Sequence, residues 1–391
     1  MSRISSRLEV ALIVDPAKPY DRRIIRAVGS YVTQRQCNWS LYVEQDPIIR
    51  LPDLQAWAGD GILANFDDRR IAKAVSDINI PVVGIGGGYG YYEENPTIPY
   101  VRTDNRAIAE LAAQHLIDLG IRSFAFCSEP PNRANGWARE RAEAFQGYLA
   151  EAGFYCEVYT GRFTASRRWR ESQAELEQWV SSLTPPVGMM ACRDGRARHV
   201  MQACKTVGLR VPEDVAIIGV DNDDVICELV NPPLTSIEQG TKRIGFEAAA
   251  LLDVMMAGKI PDDKHTTIPP EGLVVRQSTD VLATGDLEVS ESLRFIRRHA
   301  TDPITVQDVL DVAQLSRSTL EARFRGVLNR SIHAEINRVQ VEFAMRLLTT
   351  TKIPIKEVVK RVGISSVQYF TAVMRRETGK TPGQIRTEMQ P

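Results

Sequence analysis

The residues best suited to chemistry in this chain are carboxylates, guanidinium groups and aromatic rings that recur just after short apolar runs. Asp15 follows the run 8–14, and Tyr89 follows the glycine-rich stretch 84–88. Trp137 and Arg141 come after 124–127, Arg193 and Asp194 after 187–191, and Asp221 with Asn222 after 215–220. Carboxylates accept hydrogen bonds from hydroxyls, guanidinium groups donate to them, and an aromatic plate covers a sugar's apolar C–H face. The set therefore predicts a carbohydrate site. Each member has a plainer reading by itself: an Asp after a strand commonly caps the next helix, and a lone Trp137 would be core. Their convergence at one sheet edge is what favours a ligand, because open α/β sheets bind ligands there.

Other chemistries find less support. The glycines Gly84-Ile85-Gly86-Gly87-Gly88 suggest an NAD-linked sugar enzyme, but the last position of the dinucleotide fingerprint falls on Tyr89. The stretch Tyr91-Tyr92-Glu93-Glu94-Asn95-Pro96 does not open a helix. His115, His199, His265, His299 and His333 are scattered, and no Gly-x-Ser-x-Gly, His-Glu-x-x-His or P-loop occurs. We expect no catalysis, no cofactor and no metal site. The six cysteines, Cys37, Cys127, Cys156, Cys192, Cys204 and Cys227, form no Cys-x-x-Cys pair and read as reduced, mostly buried thiols.

The elements that must position the site are legible in the same runs. Those at 8–14, 39–43, 61–64, 81–85, 124–127, 187–191 and 215–220 are too short for helices and are bounded by Asp, Gly or Pro. They predict buried parallel strands alternating with amphipathic helices, one of which is 241–256 with Ile244, Ala248, Leu251, Leu252 and Met255 on one face. About 265 residues is long for one open sheet, so the fold class expected is an α/β body of two lobes. Residues 1–280 form this body, 281–289 a linker, and 290–391 an all-α domain.

Charge divides the chain at the same place. The whole-chain net charge is −1, but from Asp286 onward 17 Lys+Arg face 12 Asp+Glu, leaving +5 for the tail and −6 for the rest. With 43% hydrophobic residues the chain is ordinary globular material. No run approaches the roughly 18 apolar residues a membrane helix needs, and no signal peptide is evident, so a cytoplasmic protein without membrane contact is expected.

The tail reads as helices at 290–300, 306–314, 316–328, 333–348, 354–362 and 366–378. Two of the pairs are helix-turn-helix units. In the first, Val309, Val312, Ala313, Leu320, Phe324 and Leu328 face inward, leaving Arg317, Ser318, Thr319 and Arg323 outward. The second repeats this plan, with Val358, Val359, Val362, Val367, Phe370, Val373 and Met374 inside and Gln368, Tyr369 and Arg375 outside after a Ser366 cap. Such helices enter the major groove, and a long spacer helix carrying Ile336, Val339, Phe343 and Leu347 could set them about one DNA turn apart, near 34 Å.

Arg361-Val362-Gly363-Ile364-Ser365-Ser366-Val367-Gln368-Tyr369-Phe370, followed by Gly379-Lys380-Thr381-Pro382 and Arg386, resembles the signature of the arabinose-regulator (AraC/XylS) family. Ala313-Gln314-Leu315-Ser316-Arg317-Ser318-Thr319-Leu320 with Phe324 resembles that family's first unit. Met374 and Thr378 stand where that family usually has Phe, Ile385 where it has Tyr, and Gln314 and Asn329 where Gly is common. The segment from Met190 through Gly208-Leu209-Arg210-Val211-Pro212-Glu213-Asp214-Val215 to Ile218-Gly219-Val220-Asp221-Asn222 is similar to lac-repressor-like and periplasmic sugar-binding proteins. That similarity implies sugar contacts at Arg141, Arg193, Asp194 and Asp221, although Arg193 replaces the Asn common there. Tyr20-Asp21, Gly59-Asp60-Gly61 with Asp67-Asp68, and Arg196-Ala197-Arg198-His199 fit the same arrangement. The two resemblances together imply a sugar-responsive transcription activator. Its expected partners are double-stranded operator DNA, a small sugar effector with D-xylose favoured over other pentoses and hexoses, a second copy in a homodimer, and RNA polymerase.

Overall fold

All seven apolar runs are strands. In the computed structural model the described residues are those outside 1–6, 44–56, 76–77, 88–96, 133, 163–167, 262, 281–285, 365 and 390–391. Twelve strands lie among them. The first five are β1 (Leu8–Ile13), β2 (Trp39–Val43), β3 (Gly61–Asn65), β4 (Val82–Ile85) and β5 (Tyr100–Thr103). Next come β6 (Ser123–Cys127), β7 (Cys156–Tyr159), β8 (Val187–Ala191), β9 (Val215–Val220), β10 (Thr235–Glu238), β11 (His265–Ile268) and β12 (Gly272–Val274). Between them run α1 (Pro19–Arg35), α2 (Arg69–Val75), α3 (Asn105–Asp118), α4 (Gly136–Glu151), α5 (Trp169–Ser182), α6 (Asp194–Val207), α7 (Asp224–Leu229) and α8 (Thr241–Met256). The chain divides into two compact units, Met1–Val281 and Leu282–Pro391.

The first unit has two six-stranded sheets, ordered β11-β5-β4-β3-β1-β2 and β12-β10-β9-β8-β6-β7. All pairings are parallel except β10 with β12. β3, β8 and β9 are buried along their whole length, as strands covered by helices on both faces must be. The polypeptide passes between lobes three times: after β5, after β10 and after β11. As a result α8 returns to the first lobe, where Ile244, Ala248 and Leu252 pack with Val10, Leu12, Ile24 and Val28. Gly245 permits that close approach, since a Cβ there would lie 2.7 Å from the Ile24 carbonyl oxygen. Leu251 and Met255, read as members of the core face, lie only partly buried at its edge.

All six cysteines are free, and every one but Cys37 is buried. No helix among the described residues is long and apolar enough to cross a membrane.

The second unit is helical: α9 (Leu287–Arg298), α10 (Val306–Ala313), α11 (Arg317–Leu328), α12 (Ile332–Thr350), α13 (Ile355–Arg361), α14 (Val367–Thr378) and α15 (Pro382–Met389). α9 starts at Leu287, earlier than the 290 read from sequence, because the Asp286 carboxylate caps it by accepting from the Val289 N–H at 3.2 Å. α15 escaped the sequence reading. Two cores form, and α12 serves both: Ile332, Ile336 and Val339 join α9–α11, whereas Val341, Ala344 and Leu348 join α13–α15. Val312 and Val367, read as core, are exposed, and Leu310 takes the inward place. The inward stripe of α12 likewise turns away from Phe343 and Leu347, which are half-buried.

Candidate functional site

Both sheets reverse their strand order beside the first strand of each lobe, and the carboxyl ends of the strands at such switch points form a crevice. Here the crevice is a cavity of about 350 Å³. Lys18, Tyr20, Asp21, Asn65, Asp67 and Gly87 line it from the first lobe, and Glu129, Trp137, Arg141, Arg193 and Asp221 from the second. Thr103 at the end of β5 also lines it, as do Asn105 and Gln239 from the segments that cross between lobes.

Arg141 is the centre of the arrangement. It is almost fully buried on α4 and donates from Nε to Asn105 Oδ1 at 2.8 Å, from one Nη to the Cys192 carbonyl at 2.7 Å, and from the other to Gln239 Oε1 at 3.0 Å. Its guanidinium lies 4.8 Å from the centre of the Trp137 ring, whose own N–H donates to the Ala134 carbonyl. Gln239 passes the chain on by donating to Asp221 Oδ1 at 2.6 Å. Arg23 of α1 reaches across the lobes to donate to the main-chain carbonyls of Asp221 and Asn222. Both of those residues adopt positive φ, +112° and +48°.

In the first lobe the Asp21 carboxylate accepts from the Asp15 N–H at 2.8 Å and from Asn65 Nδ2 at 3.0 Å. Asp67 accepts from the Gly87 N–H at 2.9 Å. The neighbouring Gly86 must be glycine: its φ is +87°, and a Cβ would meet Asp67 Oδ1 at 2.5 Å. Burial pushes the Asp67 carboxyl up to about 6, against the Gly87 hydrogen bond. Burial also raises Asp21, opposed by Lys18, and Asp221, opposed by Arg141 and Arg193. The cleft thus holds carboxylates that gain from further hydrogen-bond donors.

The sequence-derived set divides accordingly. Trp137, Arg141, Arg193 and Asp221 come together at the cavity. Asp15 does not: its carboxylate accepts from the Ala17 N–H at 3.0 Å, closing the turn before α1. Asp194 is fully buried beneath the site, accepting from Ser236 Oγ at 2.6 Å and the Asp223 N–H at 2.8 Å, so it braces the β9 loop instead of facing a ligand. Asn222 is likewise a brace, donating to Glu238 and accepting from Arg276. Tyr89 lies outside the described residues. Asn105 and Gln239 were missed because they sit at crossovers whose flanking sequence is polar, whereas Asn65 directly follows the apolar run 61–64 and carried the same signal as the residues that were found. Asp21 and Asp67 carried a signal only through the resemblance.

In the second unit α11 and α14 present matching ends. Ser316 and Ser366 cap them, each accepting from the N–H three residues on, at 3.2 Å. Arg317, Ser318, Thr319, Gln368 and Arg375 are exposed. Tyr369 is also exposed, but its hydroxyl is held by Asn337 at 3.2 Å and His333 at 3.3 Å. Arg323 departs from the expectation: it pairs with Asp286 at 3.1 Å and Glu288 at 2.9 Å, tying α11 to the start of α9.

A two-lobed body with a polar, aromatic-walled cleft, joined to paired helix-turn-helix units, defines a sugar-responsive DNA-binding transcription regulator. Family models agree: a periplasmic binding protein-like domain matches residues 113–279, an XylR N-terminal domain 9–106, and a helix-turn-helix domain 309–388. The xylose operon regulatory protein of Escherichia coli K12 is 36% identical over 98% of this chain and 97% of its own. That of Haemophilus influenzae is 35% identical over 97% and 98%. The chain belongs to the family of xylose operon regulatory proteins. A solved structure of the xylose-binding transcription activator xylR superimposes with a TM-score of 0.81 at 35% identity, covering 99% of this chain and all of that one. The complex of the transcriptional regulator CelR with cellobiose matches 69% of this chain and 84% of its own, at 27% identity and a TM-score of 0.58.

Proposed function

We propose that the cleft binds D-xylose and that binding closes the lobes, raising the affinity of the paired tails of a homodimer for an operator with repeated half-sites. The observation that carries this reading is the buried Arg141, hydrogen-bonded at once to the second lobe and to two of the three crossover segments. A sugar seated there adds hydroxyls between Asp21 and Asp67 on one side and Asp221 on the other. Sugar contacts are then Trp137, Arg141, Arg193 and Asp221 together with Asp21, Asn65, Asp67, Asn105 and Gln239, while Asp15, Asp194 and Asn222 position them. On DNA, Arg317, Ser318, Thr319, Gln368, Tyr369 and Arg375 face the groove, and Ser366 and Arg323 fix the helices that carry them. The regulator works in the cytoplasm as an activator that contacts RNA polymerase, and it transforms no substrate.

Only different affinities for the open and closed states can drive such a switch. Operator titrations with and without saturating D-xylose test it: the midpoint moves in the wild type, and an unmoved midpoint rejects the coupling. Asp221→Ala abolishes the sugar response while retaining basal operator affinity; loss of both would indicate misfolding.

A further inference from the structure

A second chamber of about 220 Å³ adjoins the main cavity, and Glu129, Asn132 and Arg193 line both spaces. Its outer walls come from Trp169, Ser172 and Gln173 on α5 and from Arg196 and His199 on α6. Trp169 leaves 46% of its surface open, and its ring meets that of His199 edge-on, with centroids 4.6 Å apart. That contact sets the plane of an otherwise exposed indole. Two of the polar groups are held by their own partners: Arg196 Nε donates to the Ser128 carbonyl at 2.8 Å, and Gln173 Nε2 to the His199 carbonyl at 3.3 Å. Arg193 is compensated by Glu129. Burial, and next the Arg198, Arg196 and Arg193 charges, bring His199 down to about 4, so it faces the chamber as a neutral ring.

We infer that this chamber is a second sugar subsite, which takes the second ring of a disaccharide whose first ring occupies the main cavity. The inference rests on the sugar reading of that cavity. An oriented, half-exposed aromatic face bordered by an amide, a hydroxyl and a neutral imidazole is the surface that a pyranose needs, apolar C–H against the ring and hydroxyls at the rim. The space suits a ring; a phosphate-sized anion would leave most of it empty and gain nothing from Trp169. The Arg193–Glu129 pair stands at the junction, where it can serve the glycosidic linkage. CelR, whose body has the same fold, is held with a disaccharide.

Calorimetric titration of the full-length chain with D-xylose, the β-1,4-linked disaccharide of xylose, and D-xylose 5-phosphate tests the assignment. The disaccharide is expected to compete with D-xylose. Trp169→Ala weakens the disaccharide roughly tenfold, the equivalent of about 1.4 kcal/mol, leaves D-xylose within about twofold, and is rescued by Trp169→Phe. The inference fails if the disaccharide does not bind, if Trp169→Ala weakens both sugars equally, or if the phosphate binds best and is lost in Arg196→Gln. Binding of the disaccharide without D-xylose would reject the xylose reading of the main cavity and keep the chamber.

Discussion

Asp67 shows how much a single carboxyl can report about the cleft. Its folded-state value near 6 lies above the ordinary carboxylate range, so ionising it in the folded protein costs free energy as pH rises from about 4 to about 6. A sugar hydroxyl donating to this oxygen favours the ionised form and pulls the value back down. Sugar binding near pH 6 is therefore expected to release a proton, seen as a buffer-dependent heat. Affinity falls as pH drops below 6, by about tenfold for each unit that the sugar lowers the value. Asp67→Asn flattens the profile, and a step that survives this substitution assigns the titration to Asp21 or Asp221, which burial also raises. At this scale sequence reasoning located charge but not its employment. Arg141 and Asp221 were legible as residues of the cleft, whereas nothing local separates them from Asp194, whose carboxylate is spent on Ser236 and Asp223.

Turns are where the helical elements are most exposed to substitution. Gln314 and Asn329 end α10 and α11 at φ of +52° and +53°, a left-handed conformation that costs a side-chain-bearing residue about 1 kcal/mol. Gln314→Gly is thus expected to stabilise the tail by about 0.5–1 kcal/mol in chemical denaturation. Gly363 shows the opposite case, for it has φ +69° and a Cβ would meet the Asp302 carbonyl oxygen at 2.2 Å. Gly363→Ala should cost more than about 2 kcal/mol and lower operator affinity by loosening the turn before α14. The long buried strands and amphipathic helices could be read from apolar periodicity. β5, β7, β10 and β11 could not, because they lie at or beside sheet edges and carry polar residues: β11 is His265–Ile268 with only Ile268 buried. β12 could not because Gly272–Val274 is only three residues long. α12 was visible as a helix, but its division between two cores is a tertiary fact that periodicity does not encode.

For the molecule as a whole, a net charge of −1 conceals a tail of +5 on a body of −6. So modest a basic excess makes nonspecific DNA affinity limited and salt-sensitive, and it leaves specificity to the two recognition helices that each chain carries, α11 and α14. Arg375→Ala or Arg317→Ala is expected to weaken operator binding and reduce the slope of log affinity against log salt by about 1 if the side chain meets a phosphate. The Kd for D-xylose stays unchanged, because the sugar cleft belongs entirely to the first unit. A shifted sugar Kd in either variant would count against that separation.

The triple passage of the chain between lobes also fixes an order of manufacture. During synthesis the first sheet emerges with β1 to β5, but it lacks Ile244, Ala248 and Leu252 of α8 over one face and β11 along its edge. Those arrive only after the second lobe has been made, so the first lobe must wait, half-covered, for residue 268. The DNA-binding tail follows later still, and a nascent chain can therefore touch its operator only once the whole sensor is in place to govern it.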